Sequence, residues 1–176
     1  MSAAAVPPAV LRVAILGAES SGKSTLAAAL AERYQTVWVA EYLREFVETR
    51  QRVPQAQEQF HIASTQRARE ELALASATRF LFCDTTPLMT AIYSDVYFDG
   101  ADADLVALVA HQPYGLTLVT APDAPWEADG LQRESDAVRQ RVHRQVLLEL
   151  AARKLPYHLV AGTLAQRLAQ VAQLLG

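Results

Sequence analysis

Nine residues, Gly17-Ala18-Glu19-Ser20-Ser21-Gly22-Lys23-Ser24-Thr25, constrain the fold of this chain more than any other stretch. The apolar run Val10-Leu11-Arg12-Val13-Ala14-Ile15-Leu16 precedes them, and an alanine-rich helix, Leu26 to Tyr34, is predicted to follow. A strand feeding a glycine loop that opens a helix is the setting in which G-x-x-x-x-G-K-[ST] cradles a nucleoside triphosphate. Gly17 and Gly22 let the loop curl so that successive backbone N–H groups point inward, and the helix behind presents its positive end. Lys23 is expected to reach the β- and γ-phosphates as a point charge. The Ser24 hydroxyl is expected to ligate Mg²⁺, and Thr25 is a candidate contact to the α-phosphate. An ordinary strand-to-helix turn would need neither the lysine nor the two hydroxyls.

The 176 residues, 51% of them hydrophobic, suit one compact domain: a tail over residues 1–9 and a single domain over 10–176. Sixteen basic against nineteen acidic residues leave a formal charge of −3, without the cationic excess that nucleic-acid binding requires. Cys83 is the sole cysteine, which excludes an internal disulfide and a cysteine-based zinc site and fits a reducing cytoplasm. Met1 to Pro8 lacks the basic start and apolar core of a signal peptide. No run approaches the ~18 apolar residues of a membrane span. His61, His111, His143 and His158 lack metal-ligand spacing.

Apolar runs and breakers predict strands at Val10–Leu16, Thr36–Ala40, Arg79–Asp84, Leu116–Ala121 and Tyr157–Ala161. The helices between are Glu41–Arg50, Gln55–Thr78, Pro87–Val96, Asp104–His111, Ser135–Arg153 and Thr163–Leu174, with Ser135 and Thr163 as N-caps. In the long helix, Ala56, Phe60 and Ala63, continued by Leu72 and Ala75, are expected to face the sheet. Right-handed crossovers then give a three-layer α/β/α fold of the P-loop NTPase class around a five-stranded parallel sheet, with ligands at the carboxyl ends of the strands.

Asp84 closes the run Phe80-Leu81-Phe82-Cys83, the Walker-B situation of a carboxylate that holds Mg²⁺, usually through water; capping the next helix is its other reading. Glu41 leaves the second strand over the same rim, where a carboxylate suits the task of taking a proton from a hydroxyl acceptor; Asp84 is its rival, and a helix-dipole contact is the plain alternative. The segment around 122–141, with the charged stretch Trp126 to Arg141, reads as a lid. Arg133 and Arg139, with Arg141 behind them, are candidates to neutralise charge in phosphoryl transfer. A solvated helix start of mixed charge is the alternative.

Four blocks in order, Gly17 to Leu26, Glu41-Tyr42-Leu43-Arg44-Glu45-Phe46, Cys83-Asp84-Thr85-Thr86-Pro87-Leu88, and Pro125-Trp126 with Asp129-Gly130, resemble the ribosylnicotinamide kinase domain of NadR-type proteins. The resemblance runs over nearly the whole chain and implies a nucleoside-kinase-like fold with a lid, ATP and Mg²⁺ as cofactors, and phosphorylation of the 5′-hydroxyl of nicotinamide riboside in NAD salvage. It implies an acceptor site drawn from Glu41, Tyr42, Arg44, Gln66, Asp84, Tyr93, Trp126 and Asp129. In that site Trp126 and Tyr42 would be stacking faces for the cationic pyridinium, and Asp129 and Asp84 acceptors for ribose hydroxyls. Arg44 would meet the transferring phosphate, Gln66 would address the carboxamide, and Tyr93 would line the pocket. Larger members of the family also carry a DNA-binding segment and an adenylyltransferase domain; here the kinase domain is expected to stand alone. A kinase for another nucleoside or small metabolite, and an NTP-binding regulatory switch, are the alternative readings. The acceptor base and a lid rich in arginine favour a kinase, since a switch needs no acceptor.

Overall fold

The computed structural model describes residues 9–127 and 135–176. The expected N-terminal tail through Pro8 and the lid residues 128–134, Asp129 and Arg133 among them, lie outside the described residues. Strand β1 (Leu11–Leu16) runs into helix α1 (Lys23–Arg33), followed by β2 (Trp38–Val39) and α2 (Tyr42–Arg50). After a short 3₁₀ turn come α3 (Gln59–Ala73), β3 (Phe80–Asp84), α4 (Pro87–Tyr97) and α5 (Ala103–Ala110). The chain continues through β4 (Leu116–Thr120), α6 (Asp136–Ala152), β5 (His158–Val160) and α7 (Leu164–Leu175). The five strands form one sheet in the order β2-β3-β1-β4-β5, with every pairing parallel.

β1 is central, and its alternation explains why both faces of the sheet are covered. Val13 and Ile15 pack with Leu26, Leu30 and Val171 beneath α1 and α7. Ala14 and Leu16 pack on the other face with Met89 and Ile92 of α4, Leu105 of α5 and Val142, Val146 and Leu150 of α6. The edge strands β2 and β5 are short, which limits unwanted pairing with another chain. Ser135 and Thr163 cap α6 and α7, their side-chain oxygens accepting from Val138 N and Gln166 N. No helix among the described residues is long and apolar enough to cross a membrane.

Two local expectations change. The second strand shrinks because the Thr36 hydroxyl donates to the Phe80 carbonyl at 2.6 Å and accepts from Thr78 N at 3.1 Å, replacing ladder bonds with side-chain ones. The long helix starts as a 3₁₀ turn, boxed by Gln55 and Glu58, and ends at Ala73. Its inward face is Gln59, Ile62, Ala63, Gln66, Arg67 and Glu70. Ala63 and Phe60 face the core as expected, whereas Ala56, Leu72 and Ala75 face solvent. Apolar spacing misleads here because the helix buries a polar stripe with partners waiting for it.

Candidate functional site

The loop after β1 is held in shape by close contacts on its outer side. A Cβ added to Gly17 would lie 2.2 Å from Thr120 Oγ1 and 2.8 Å from Ser21 Oγ, so only glycine lets the loop approach β4 this closely. The Ser21 hydroxyl donates to the Ala18 carbonyl at 2.6 Å and pairs with Thr120 Oγ1 at 2.6 Å. Ser20 and Gly22 adopt left-handed backbone, φ 59° and 86°, the kind of turn that gathers backbone N–H groups into an anion-binding concavity. Ala18 is buried, Glu19 half-buried and Thr25 exposed. Helix α1 begins at Lys23, a turn earlier than expected, so its N-terminus opens directly onto this concavity. The buried Lys23 ammonium donates to the Ala18 carbonyl at 2.9 Å.

β3 lies next to β1 in a register that pairs Ile15 with Asp84, which brings the Asp84 carboxylate beside the loop. Ser24 Oγ donates to Asp84 Oδ2 at 2.5 Å, and the N-cap of α4 is Thr86, so Asp84 serves the loop and not the helix. Asp84 Oδ1 is buried with no hydrogen-bond partner among the described residues, as is the Thr85 hydroxyl. Thr85 also takes left-handed backbone, φ 69°, a strain of about 1–3 kcal/mol for a β-branched residue. A hydroxyl beside a carboxylate oxygen that wants a partner fits a hard cation such as Mg²⁺, which keeps several waters and needs few protein ligands.

Glu41 is the N-cap residue of α2, yet its side chain makes no capping bond, which leaves the carboxylate available to the site. Burial holds its carboxyl above the ordinary range; Lys23 and Arg44 oppose this, while Asp84 and Glu19 add to it. One charged cluster therefore gathers Glu41, Lys23, Asp84, Arg44 and Glu19. Tyr93, buried on α4, belongs to the same place: burial, then the charges of Glu19 and Glu41, push its hydroxyl well above the usual tyrosine range.

Three expected side chains are occupied otherwise. Gln66 Oε1 accepts from Tyr42 N at 2.8 Å, and its Nε2 donates to the Ala40 carbonyl at 3.3 Å and the Asp84 carbonyl at 3.5 Å. The amide thus ties the end of β2 to the end of β3, a task set by its burial on α3, and is not turned to a ligand's carboxamide. The Tyr42 ring has the Arg69 guanidinium 4.6 Å from its centroid and edge contacts with Phe46 and His61, so a protein cation already covers one of its faces. Arg139 is buried in the first turn of α6, paired with Asp136 and donating to the carbonyls of Ser20 at 3.3 Å and Ala124 at 2.9 Å. Its place is behind the loop, because the helix register puts it on the buried stripe with Val142 and Val146. Trp126 is half-buried, and Arg44 and Arg141 are exposed.

Sequence reasoning passed over Arg167. It is buried on α7 against the loop, with Nη1 donating to the Ser21 carbonyl at 2.5 Å and Nη2 to Asp123 Oδ1 at 2.6 Å. The available signal was a single charged residue in an otherwise neutral helix, four positions before the buried Val171.

Known proteins share the architecture that carries this site. A family model for an AAA domain, AAA_28, matches residues 12–167. The trifunctional NAD biosynthesis/regulator protein NadR of Salmonella typhimurium is 30% identical over 145 residues, 80% of this chain and 35% of that protein. The chain therefore spans about a third of the length of the curated relatives it matches. Among solved structures, NadR in complex with NAD and AMP-PNP has a TM-score of 0.76 at 20% identity, covering 94% of this chain and 49% of that one. Deoxyadenosine kinase from M. mycoides has a TM-score of 0.65 at 12% identity, covering 94% and 98%. At these identities the structural likenesses establish the fold: the P-loop α/β/α sheet with nucleoside-kinase-like layout.

Proposed function

This chain belongs to the AAA domain family AAA_28, a family of P-loop domains, and from that premise we propose that it is a kinase that transfers the γ-phosphoryl group of ATP to the 5′-hydroxyl of nicotinamide riboside, giving nicotinamide mononucleotide. The observation that carries this reading is the meeting of Glu41 and Asp84 at the ends of β2 and β3, beside Lys23. A nucleotide switch has no use for a second, partly desolvated carboxylate free of its helix cap. A kinase does.

In the proposed reaction the loop N–H groups and Lys23 bind the triphosphate, and Ser24 and Asp84 would hold Mg²⁺. When bound, the ion supplies charge neutralisation at the phosphate oxygens. Glu41 accepts the proton of the 5′-hydroxyl as its oxygen bonds to the γ-phosphorus, and the bond to the leaving ADP breaks. The raised carboxyl of Glu41 matches this work, since a base with higher proton affinity draws the proton more strongly. Glu19, Glu41 and Asp84 make the acceptor side anionic, which favours a pyridinium cation over a neutral base of the same shape. Tyr93, Trp126 and Arg44 are proposed to line that side, together with Asp129, and Arg133 to close over the phosphates from the lid. The NadR relatives support the substrate: one is named for NAD biosynthesis, and one solved NadR structure is of a complex with NR.

The test is ADP release from ATP and Mg²⁺ with nicotinamide riboside, with deoxynucleosides and with no acceptor. Mononucleotide formed at a kcat/KM well above that for deoxynucleosides supports the proposal. Preference for a neutral nucleoside would reassign the substrate, and acceptor-independent turnover would point to the switch.

A further inference from the structure

The buried stripes of α6 and α7 each begin with an arginine, Arg139 and Arg167, in the first turn of the helix. A cation there faces the positive end of its own helix dipole, an unfavourable position unless something else holds it. Both arginines are held, and both hold the phosphate loop from behind.

Arg167 carries more. Its guanidinium donates four hydrogen bonds: Nε to the Gly162 carbonyl at 3.0 Å, Nη1 to Ser21, and Nη2 to the Ala121 carbonyl at 3.0 Å and to Asp123. Asp123 completes the circle by accepting from Gly162 N through its other oxygen at 2.6 Å. The loop after β1, the exit of β4, and the turn after β5 therefore share one buried fork. Gly22 lies directly against it; a Cβ there would come 3.1 Å from Arg167 Nη1. In a planar trans peptide the carbonyl and the following N–H point in opposite directions. Fixing the Ser21 carbonyl on Arg167 consequently turns the Gly22 N–H away from α7, into the concavity where phosphate oxygens would sit.

We propose that Arg167 is a positioning residue for nucleotide binding, orienting the Ser21–Gly22 peptide towards the triphosphate and bracing that orientation, through Asp123 and Ala121, against the exit of β4. This rests on the kinase reading above in requiring a nucleotide in the loop. It goes beyond it in assigning the task to a residue that touches no substrate. Lysine cannot replace the fork, since its point charge cannot reach four acceptors in fixed directions.

The experiment measures binding of a fluorescent ATP analogue with Mg²⁺ to the full chain and its Arg167→Ala and Arg167→Lys variants, with thermal unfolding and acceptor KM alongside. Losing one oriented hydrogen bond to a charged phosphate is expected to weaken nucleotide binding roughly ten- to a hundredfold in Arg167→Ala. Acceptor KM should barely move, and guanidinium ion at sub-denaturing concentration should restore much of the nucleotide affinity. Arg167→Lys preserves charge and packing, so it is expected to keep its fold and still bind nucleotide more weakly than wild type. A folded Arg167→Lys or Arg167→Ala with wild-type nucleotide affinity would overturn the proposal and leave Arg167 a packing residue. Wild-type protein that binds no nucleotide would overturn the kinase reading itself, a separate and recognisable failure.

Discussion

Glu70 should make the stability of this protein fall as pH rises from about 4.5 to 7, the reverse of what most carboxylates do. Its side chain is fully buried on α3, where the Tyr114 hydroxyl lies 3.0 Å and 2.9 Å from the two carboxylate oxygens. Arg12 and Arg67 stand 3.5 Å and 3.6 Å away, beyond good hydrogen-bonding range, and Glu71 repels it. Burial outweighs these partners and raises the Glu70 carboxyl from 4.5 to about 7. Between those two values the folded chain holds a proton that the unfolded chain has released, so stability is lost as pH climbs, fully so above 7. A gap of about 2.5 pH units corresponds to about 3 kcal/mol. For a chain of this size that is a fall in Tm of roughly 6–12 °C.

His143, whose pKa burial lowers, pulls the other way in part of the same window, so the measurement must be a difference. Glu70→Gln imitates the protonated carboxyl and does not titrate. Thermal unfolding followed by circular dichroism from pH 5 to 8 should show the Tm of the variant rising relative to wild type by about that amount, with most of the change between pH 5 and 7. Parallel curves across the range would refute the reasoning, because they would mean that the two guanidinium groups keep Glu70 ionised throughout.

Lys23→Ala should abolish phosphoryl transfer while the protein stays folded, read as loss of ADP release with an unchanged circular dichroism spectrum. Glu41→Gln should lower kcat far more than it raises the acceptor KM; if Asp84→Asn alone behaves this way in steady-state kinetics, Asp84 is the base. Gly17→Ala forces a methyl group into Thr120 and Ser21 and should cost about 2 kcal/mol in urea unfolding as well as weakening nucleotide binding. Gln66→Leu leaves the Tyr42 N–H and the Ala40 carbonyl without their partner, and should cost about 1–3 kcal/mol and lower kcat with little effect on the KM for ATP.

The sheet could be read from the chain because its strands are apolar on both faces and its helices are marked by Ser135, Thr163 and Pro87. The phosphate loop could be read because glycine, lysine and hydroxyl positions there answer directly to phosphate chemistry. Polar side chains whose partners are distant in sequence were not legible. Gln66 looks like a ligand contact until the ends of β2 and β3 close around its amide. Arg139 looks like a clamp until its helix turns it under the loop, and Arg167 has no partner within the local sequence beyond the Gly162 carbonyl. Nothing in the neighbourhood of Tyr42 announces that Arg69, twenty-seven residues later, takes one face of its ring. Such residues are defined by topology, which a linear reading supplies only in outline.

The single amide of Gln66 laces together the segments that carry Glu41 and Asp84, whereas Arg139 and Arg167 lace the loop after β1 to the segments behind it. The two lacings meet where Ser24 touches Asp84. A scaffold organised this way allows divergence to be confined: a lineage can alter α2, α4 and the rim around them while the loop after β1 and the arginines that support it are inherited intact.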